Sequence, residues 1–249
     1  MQATLVQGDC MQLFEQLPDH SIDLVLTDPP YGITTKEWDT PPDYAALWAH
    51  IDRTVNPGGG VIFFAPWRNA HSVIMTAPGR FKHKYIWVKN QATGHLNCKH
   101  APMSAFEEIL VFGIKGARAY YCPQKSYGHS VEYRDEGRSI SNGIYHKDVK
   151  RVPYSSPDGS RYPTNVLYYD SVAGIKKTHP CEKPVPLLQF LIRTYCPPGG
   201  TVLDPFAGTG STGQAARGCG CSFIGFERDC QFAARAMQAL GTITMPGQE

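Results

Sequence analysis

No stretch of this 249-residue chain is long and apolar enough for a membrane-spanning helix, and Met1 to Leu5 lack a basic-then-apolar leader pattern. A cytoplasmic protein without a membrane partner is therefore expected. A dominant sign of charge is also missing: 24 Lys and Arg stand against 22 Asp and Glu, so the total points to no partner. No internal repeat is visible. Paired cysteine spacing is absent too, although there are eight cysteines. His95, Cys98, His100 and Cys122 have no second Cys pair at standard spacing, so no metal site is expected and the thiols read as reduced.

What is present suffices for a core, since 42% of the residues are apolar. Short apolar, β-rich runs alternate with helical patterns. The runs are Thr4–Val6, Ile22–Leu26, Val61–Phe64, Tyr85–Val88, Ile109–Phe112, Thr201–Leu203 and Ser222–Phe226. Helical spacing lies between them at 11–17, 44–55, 69–76, 185–195 and 229–240. Asn56-Pro57-Gly58-Gly59-Gly60 reads as a break before the third strand. This alternation predicts an α/β fold with a parallel sheet and helices on both faces. Between Ala117 and Thr178 the texture changes: ten Lys and Arg meet six Asp and Glu, and nine of the thirteen tyrosines lie there. Lys125, Arg134, Arg138, Lys147, Lys150, Arg151 and Arg161 mixed with tyrosines suit a nucleic-acid surface, or equally a solvated insertion.

The second strand stops at Thr27-Asp28-Pro29-Pro30-Tyr31. Prolines cannot continue a central strand because they lack the N–H its ladder needs. The chain must leave the sheet there with backbone carbonyls freed. A carboxylate and a carbonyl both accept from an exocyclic NH₂, and a tyrosine ring stacks on a flat base. A strand terminator followed by a surface tyrosine is the plainer reading. Thr34–Pro42, with Trp38 and Asp39, reads as a loop over this place, and Trp87 and Lys89 are candidates to frame it.

Gly208-x-Gly210-x-x-Gly213 matches the dinucleotide fingerprint, and Glu227 lies 19 residues beyond Gly208, where a ribose-binding acid belongs. Two features oppose a nicotinamide cofactor. Only 36 residues follow Gly213, and Asp204-Pro205-Phe206 puts negative charge where a pyrophosphate would approach. An adenosine with a zwitterionic amino-acid tail, as in S-adenosylmethionine, fits better: the glycines permit close approach, Asp204 suits an ammonium and Glu227 suits ribose hydroxyls.

Four motifs together resemble the amino-group DNA methyltransferases, in the class whose catalytic motif precedes the cofactor motif. Asp28-Pro29-Pro30-Tyr31 is similar to the catalytic motif, and Asp204-Pro205-Phe206-Ala207-Gly208-Thr209-Gly210 to the cofactor motif. Gly8-Asp9-Cys10 is similar to the adenine-binding turn, and His179-Pro180-x-x-Lys183-Pro184 to the motif before the next helix. The resemblance covers almost all of the chain outside the Tyr/Lys-rich segment. It implies a Rossmann-like, S-adenosylmethionine-dependent methyltransferase fold: a mostly parallel twisted sheet with helices on both faces, circularly permuted, with a loop-rich DNA-recognition insertion. Residues 1–116 would form the catalytic half, 117–178 the target-recognition segment and 179–249 the cofactor half.

Re-ordering the sheet from Thr201 explains the permutation. The first four strands then end in Asp204, Glu227, Asp9 and Asp28, which also removes the shortage of chain that counted against NAD. The implied catalytic residues are Asp28, Pro29, Pro30 and Tyr31. The implied cofactor residues are Asp9, Cys10, Lys183, Asp204, Phe206, Ala207, Gly208, Gly210 and Glu227, with no metal. The partners implied are double-stranded DNA and S-adenosylmethionine, and the resemblance leaves room for a homodimer and for a partner restriction nuclease. Asp as the first residue of the catalytic tetrapeptide favours adenine N6 over cytosine N4. An inactive DNA-binding relative would keep the same fold. Cys181 stands next to a proline, as does the nucleophile of C5-cytosine methyltransferases, but it lies inside the His-Pro-x-x-Lys-Pro motif and reads as structural.

Overall fold

A computed structural model describes residues 2–34, 39–114, 116–130, 132–133, 155–172 and 182–241. Trp38, the His179-Pro180-Cys181 part of its motif, and Arg134, Arg138, Lys147, Lys150 and Arg151 lie outside the described residues. The elements run β1 (Ala3–Gln7), α1 (Cys10–Phe14), β2 (Ile22–Thr27), α2 (Tyr44–Thr54), β3 (Val55–Ala65), α3 (Trp67–Thr76), β4 (Phe81–Thr93) and β5 (Ser104–Gly113). After these come β6 (Glu132–Tyr133), β7 (Ser155–Ser156), β8 (Val166–Tyr168), α4 (Val185–Tyr195), β9 (Thr201–Asp204), α5 (Ser211–Gly218), β10 (Ser222–Glu227) and α6 (Cys230–Leu240).

Two units emerge, residues 1–122 with 165–249, and residues 123–164. The second is narrower than the 117–178 segment expected from composition. Its neighbours on either side are tied to the sheet: Tyr120 N–H donates to Gly58 O, Cys122 N–H to Thr194 O, and β8 pairs with β4. Within the second unit, β6 and β7 pair antiparallel, and the Lys125 ammonium lies 4.5 Å over the Tyr162 ring.

The first unit is built on an eight-stranded sheet in the order β1-β10-β9-β2-β3-β5-β4-β8. Five of its strand pairs are parallel, and β5 runs antiparallel to both β3 and β4, so the sheet is mostly parallel. The Asn56–Gly60 stretch read as a break instead lies within β3. Ile22 pairs with Val55 and then Leu24 with Gly60, so the extra residues bulge out of the ladder. Glycine is required there, since a Cβ on Gly59 would sit 2.9 Å from Asp23 O.

Alternation along the strands divides the core. Ile62 and Phe64 of β3 join Leu24, Leu26 and Trp87 against α4, α5 and α6. Val61 and Phe63 join Ile22, Val25 and Phe112 against α1, α2 and α3. Helices therefore cover both faces, and buried strands with near-continuous apolar runs are what that requires. On the second face the Phe63 ring meets Trp48 and Phe112 edge-on, at 5.6 and 5.8 Å. Such pairs contribute about 1 kcal/mol each beyond area burial. Three helices begin at an aspartate cap: Asp9 accepts from Met11 N–H, Asp43 from Ala45 and Ala46, and Asp229 from Gln231 and Phe232. Two of those caps follow directly on strand ends, which fixes where the strand-to-helix turns face.

Candidate active site

Four strands deliver acids to the carboxyl edge of the sheet. In spatial order these are Asp9 after β1, Glu227 at the end of β10, Asp204 at the end of β9 and Asp28 after β2. From β9 the chain proceeds outward to β10, whereas from β2 it proceeds the other way to β3. The seam between β9 and β2 is thus a switch point, where open α/β sheets leave a crevice. All four acids line one cavity of about 1200 Å³.

The glycine turn is braced by its own acid. Asp204 is buried; its Oδ1 accepts from Thr27 Oγ1 at 2.6 Å and Phe206 N–H at 3.1 Å, and its Oδ2 from Thr212 Oγ1 at 2.6 Å. Burial raises its pKa, and those donors oppose the rise. Asp204 thus holds β2, β9 and α5 together as well as facing the cavity. Ala207 is buried, and its N–H donates to Phe226 O. Gly208, at φ +53°, has no heavy atom within 4 Å of the position a Cβ would take, and it lines the cavity. A ligand can therefore approach the backbone there as closely as the glycine motif implies. Gly210 (φ +84°) begins α5, and a Cβ on it would meet Ala236 Cβ at 3.1 Å, so it sets how closely α6 packs.

Glu227 accepts from Gly208 N–H and Asp229 N–H, both at 2.8 Å, and burial raises its pKa. It locks the turn to β10 while keeping lone pairs on the cavity side. Phe206 and Cys10 also line the cavity, and burial pushes the Cys10 thiol up to about 12, so it is a neutral wall residue. The caps and braces all shape a cavity rimmed by acids and glycine backbone, a donor set suited to an adenosine with a cationic tail.

At the end of β2, Pro29 is buried and Asp28, Pro30 and Tyr31 are half-buried. The turn after them is tied by Asp39, whose role was not evident from the sequence. Its Oδ1 accepts from Tyr31 N–H at 2.8 Å and Gly32 N–H at 2.9 Å, and its Oδ2 from Thr34 N–H at 2.6 Å. Asn69 adds a longer bond of 3.4 Å from Nδ2 to Tyr31 O. An acid eight residues after the tyrosine in a proline-rich loop is the only signal that could have flagged Asp39.

Lys183 differs most from its expected role as a cofactor residue. It lines the cavity, but its ammonium donates to Asp28 Oδ2 and lies 3.5 Å from Glu107 Oε2. Lys89 donates to Glu107 Oε1. Lys183 Nζ also lies 5.1 Å over the Phe64 ring, and Lys89 Nζ 5.5 Å over Trp87. Trp87 is itself buried, and its indole donates to Tyr169 O at 2.8 Å. Burial pushes the Asp28 carboxyl up to about 6; Lys183 pulls it down, and Glu107 and Asp204 push it up. Glu107 is held low: burial raises it, but Lys183 and Lys89 together outweigh that. Glu107 was missed because nothing but an acidic pair ahead of an apolar strand marks it. Its partner Asp28 lies on another strand, and Lys183 lies 155 residues beyond Asp28.

Fold and edge together are those of a Rossmann-like methyltransferase. The sequence model of the DNA methylase family (N6_N4_Mtase) matches residues 22–238, and the chain belongs to that family. Among its relatives is the DNA adenine methyltransferase YhdJ of Escherichia coli (strain K12), 26% identical over 95% of this chain and 82% of that protein. The M1.HpyAVI–SAM complex matches with a TM-score of 0.64 at 21% identity, covering 96% of this chain and all of that one. The cytosine-N4-specific PvuII DNA methyltransferase gives a TM-score of 0.68 at 17% identity, covering 100% of this chain and 89% of that one. A DNA modification methylase from Thermus thermophilus, TTHA0409, complexed with S-adenosyl-L-methionine, gives 0.63 at 18%, covering 99% of this chain and 100% of that one.

Proposed function

We propose that this chain methylates the exocyclic N6 amine of adenine in double-stranded DNA. The observation that carries the reading is Asp28 at the end of β2, hydrogen-bonded within the site and one strand from the glycine turn on β9. Asp as the first residue of the tetrapeptide and the 26% identity with a DNA adenine methyltransferase favour adenine over cytosine. S-adenosylmethionine is the methyl donor of the family and supplies an electrophilic methyl group when bound. Asp9, Cys10, Phe206, Ala207, Gly208, Gly210 and Glu227 would hold it, with Asp204 bracing the turn.

An exocyclic amine is a poor nucleophile because its lone pair is delocalised into the ring. Asp28 Oδ1 and the Pro29 carbonyl would accept its two N–H bonds, draw the nitrogen towards tetrahedral geometry and localise the pair. The Asp28 charge then offsets the positive charge that develops on nitrogen. Tyr31 stacks on the base, which must leave the duplex because its amine is unreachable inside it. Pro30 holds that ring at the strand end. Residues 117–178 serve as the target-recognition segment between the catalytic half, 1–116, and the cofactor half, 179–249. The exposed Tyr127 and Tyr162, with Lys125, are its first candidates to contact DNA. Asp28→Ala should abolish methyl transfer and still bind S-adenosylmethionine. Nucleoside mass spectrometry of DNA treated with the wild type should give N6-methyldeoxyadenosine; N4-methyldeoxycytidine would overturn the base assignment.

A further inference from the structure

The acceptor proposed to grip the target amine already has a cation on it. Lys183 donates to Asp28 Oδ2, which leaves Oδ1 to face the cavity and fixes the plane of the carboxylate. Left there, however, the ammonium would repel the positive charge that builds on the amine during transfer. The surroundings contain a second acceptor for it. Glu107 Oε2 lies 3.5 Å from the same Nζ, and Glu107 is anchored from behind by Lys89. All of these side chains are largely shielded from water, with Lys183 at 11% and Lys89 at 9% exposure. The Phe64 ring beneath Lys183 gives its ammonium a face along which to shift.

We propose that Lys183 is a positioning residue shared between two carboxylates: it orients and charges Asp28 in the resting site and passes towards Glu107 as the target amine becomes cationic, with Lys89 holding Glu107 in place. This rests on Asp28 being the amine acceptor.

The groups that face Asp28 are Lys183, Glu107, Asp204 and the Tyr44 phenol. The Tyr44 phenol is pushed up to about 12 by burial and by Asp28, so it stays neutral. With Asp28 near 6, its ionised, competent form is gained as pH rises through that value and lost below it. The two partners of Lys183 therefore have opposite effects. Removing the lysine charge should raise the Asp28 pKa, whereas removing Glu107 should leave Lys183 wholly on Asp28 and lower it.

The test is the pH profile of methyl transfer to duplex DNA between pH 5 and 9, for the wild type, Lys183→Met, Lys183→Arg, Glu107→Gln and Lys89→Met. S-adenosylmethionine affinity is measured by calorimetry alongside. Lys183→Met should shift the acid limb up by about one unit or more, a loss of about tenfold near pH 7 that recovers at higher pH. Lys183→Arg should restore the wild-type limb. Glu107→Gln should shift the limb down and also lower the plateau rate, since the ammonium no longer has a second site. Lys89→Met frees Glu107 to draw Lys183 off Asp28, so its limb should move up; this variant serves if Lys183→Met does not fold. Shifts in the same direction for Lys183→Met and Glu107→Gln, or none, would overturn the proposal, as would loss of S-adenosylmethionine binding in Lys183→Met. Asp28→Ala separates the two levels. Normal turnover in that variant refutes Asp28 as the acceptor, whereas an inactive Asp28→Ala with unmoved limbs refutes only the role of Lys183.

Discussion

Asp39→Ala removes the acceptor of three backbone N–H groups at once, those of Tyr31, Gly32 and Thr34. Asp39 is 5% exposed, but Gly32 and Thr34 are exposed, so water can replace part of what is lost. Hydrogen bonds to a charged acceptor are worth about 1.5–3 kcal/mol when buried and nearer 1 kcal/mol where water can take over. The turn after the catalytic tetrapeptide should therefore lose about 2–3 kcal/mol. At about 1.4 kcal/mol per factor of ten, the lower figure corresponds to a roughly 30-fold smaller population of the ordered turn.

We expect kcat/KM on duplex DNA to fall by up to that factor. S-adenosylmethionine affinity should stay close to wild type, because the acids of the cofactor side stand on other strands. Asp39→Asn keeps an oxygen for two of the donors and turns an N–H against the third, so it should fall between the two. Burial acts to raise the Asp39 pKa, but the Thr34, Tyr31 and Gly32 donors outweigh it and leave the carboxyl below its usual range. Its contribution is then complete above the ordinary carboxylate range and is lost as pH falls through the lowered value. The variant and the wild type should converge in stability only in strong acid. A wild-type kcat/KM for Asp39→Ala would refute the role of the brace.

Thr212→Val keeps the side-chain shape and deletes one donor to the buried Asp204 carboxylate. The cost should be about 2 kcal/mol, read as a fall in Tm of about 4–8 °C by scanning calorimetry. Gly208→Ala forces a left-handed backbone on a residue with a Cβ, at about 1 kcal/mol. Its methyl group also enters the cavity, so calorimetry should show at least tenfold weaker S-adenosylmethionine binding with only a small change in Tm.

The strand ends were the most legible part of the molecule. Apolar runs closing in Asp28, Asp204 and Glu227 are local patterns, and the chain leaves the sheet at each. The same holds for Gly208 and Gly210, whose positive φ values explain the glycines directly. Strand direction was not legible. β4 and β5 form a long antiparallel hairpin because their ladder extends from Phe81↔Phe112 to Thr93↔Ser104, far past the apolar residues that marked them. The start of β3 was hidden for the opposite reason: a Pro-Gly run that normally breaks structure is accommodated as a bulge against Asp23. Lys183 was assigned to the cofactor from its motif, yet its ammonium meets Asp28. Which of two neighbouring acids a lysine reaches depends on the packing of distant strands, and one-dimensional spacing carries no trace of it.

The pairing of β1 with β10 has a consequence for how the protein is made. Ala3 aligns with Phe223, so the first strand synthesised waits for a partner about 220 residues away. At roughly 5–20 residues per second on the ribosome, that is a delay of about 10–45 s. During it, β2 and β3 can already pair, while Asp9 has no Glu227 beside it and the cavity lacks a wall. The catalytic strand end is thus finished long before the cofactor pocket, and a nascent chain cannot modify DNA until its last strand has slotted in. Closure by the latest-made strand acts as a timer on activity, and it also leaves the edge of β1 unprotected for the same interval.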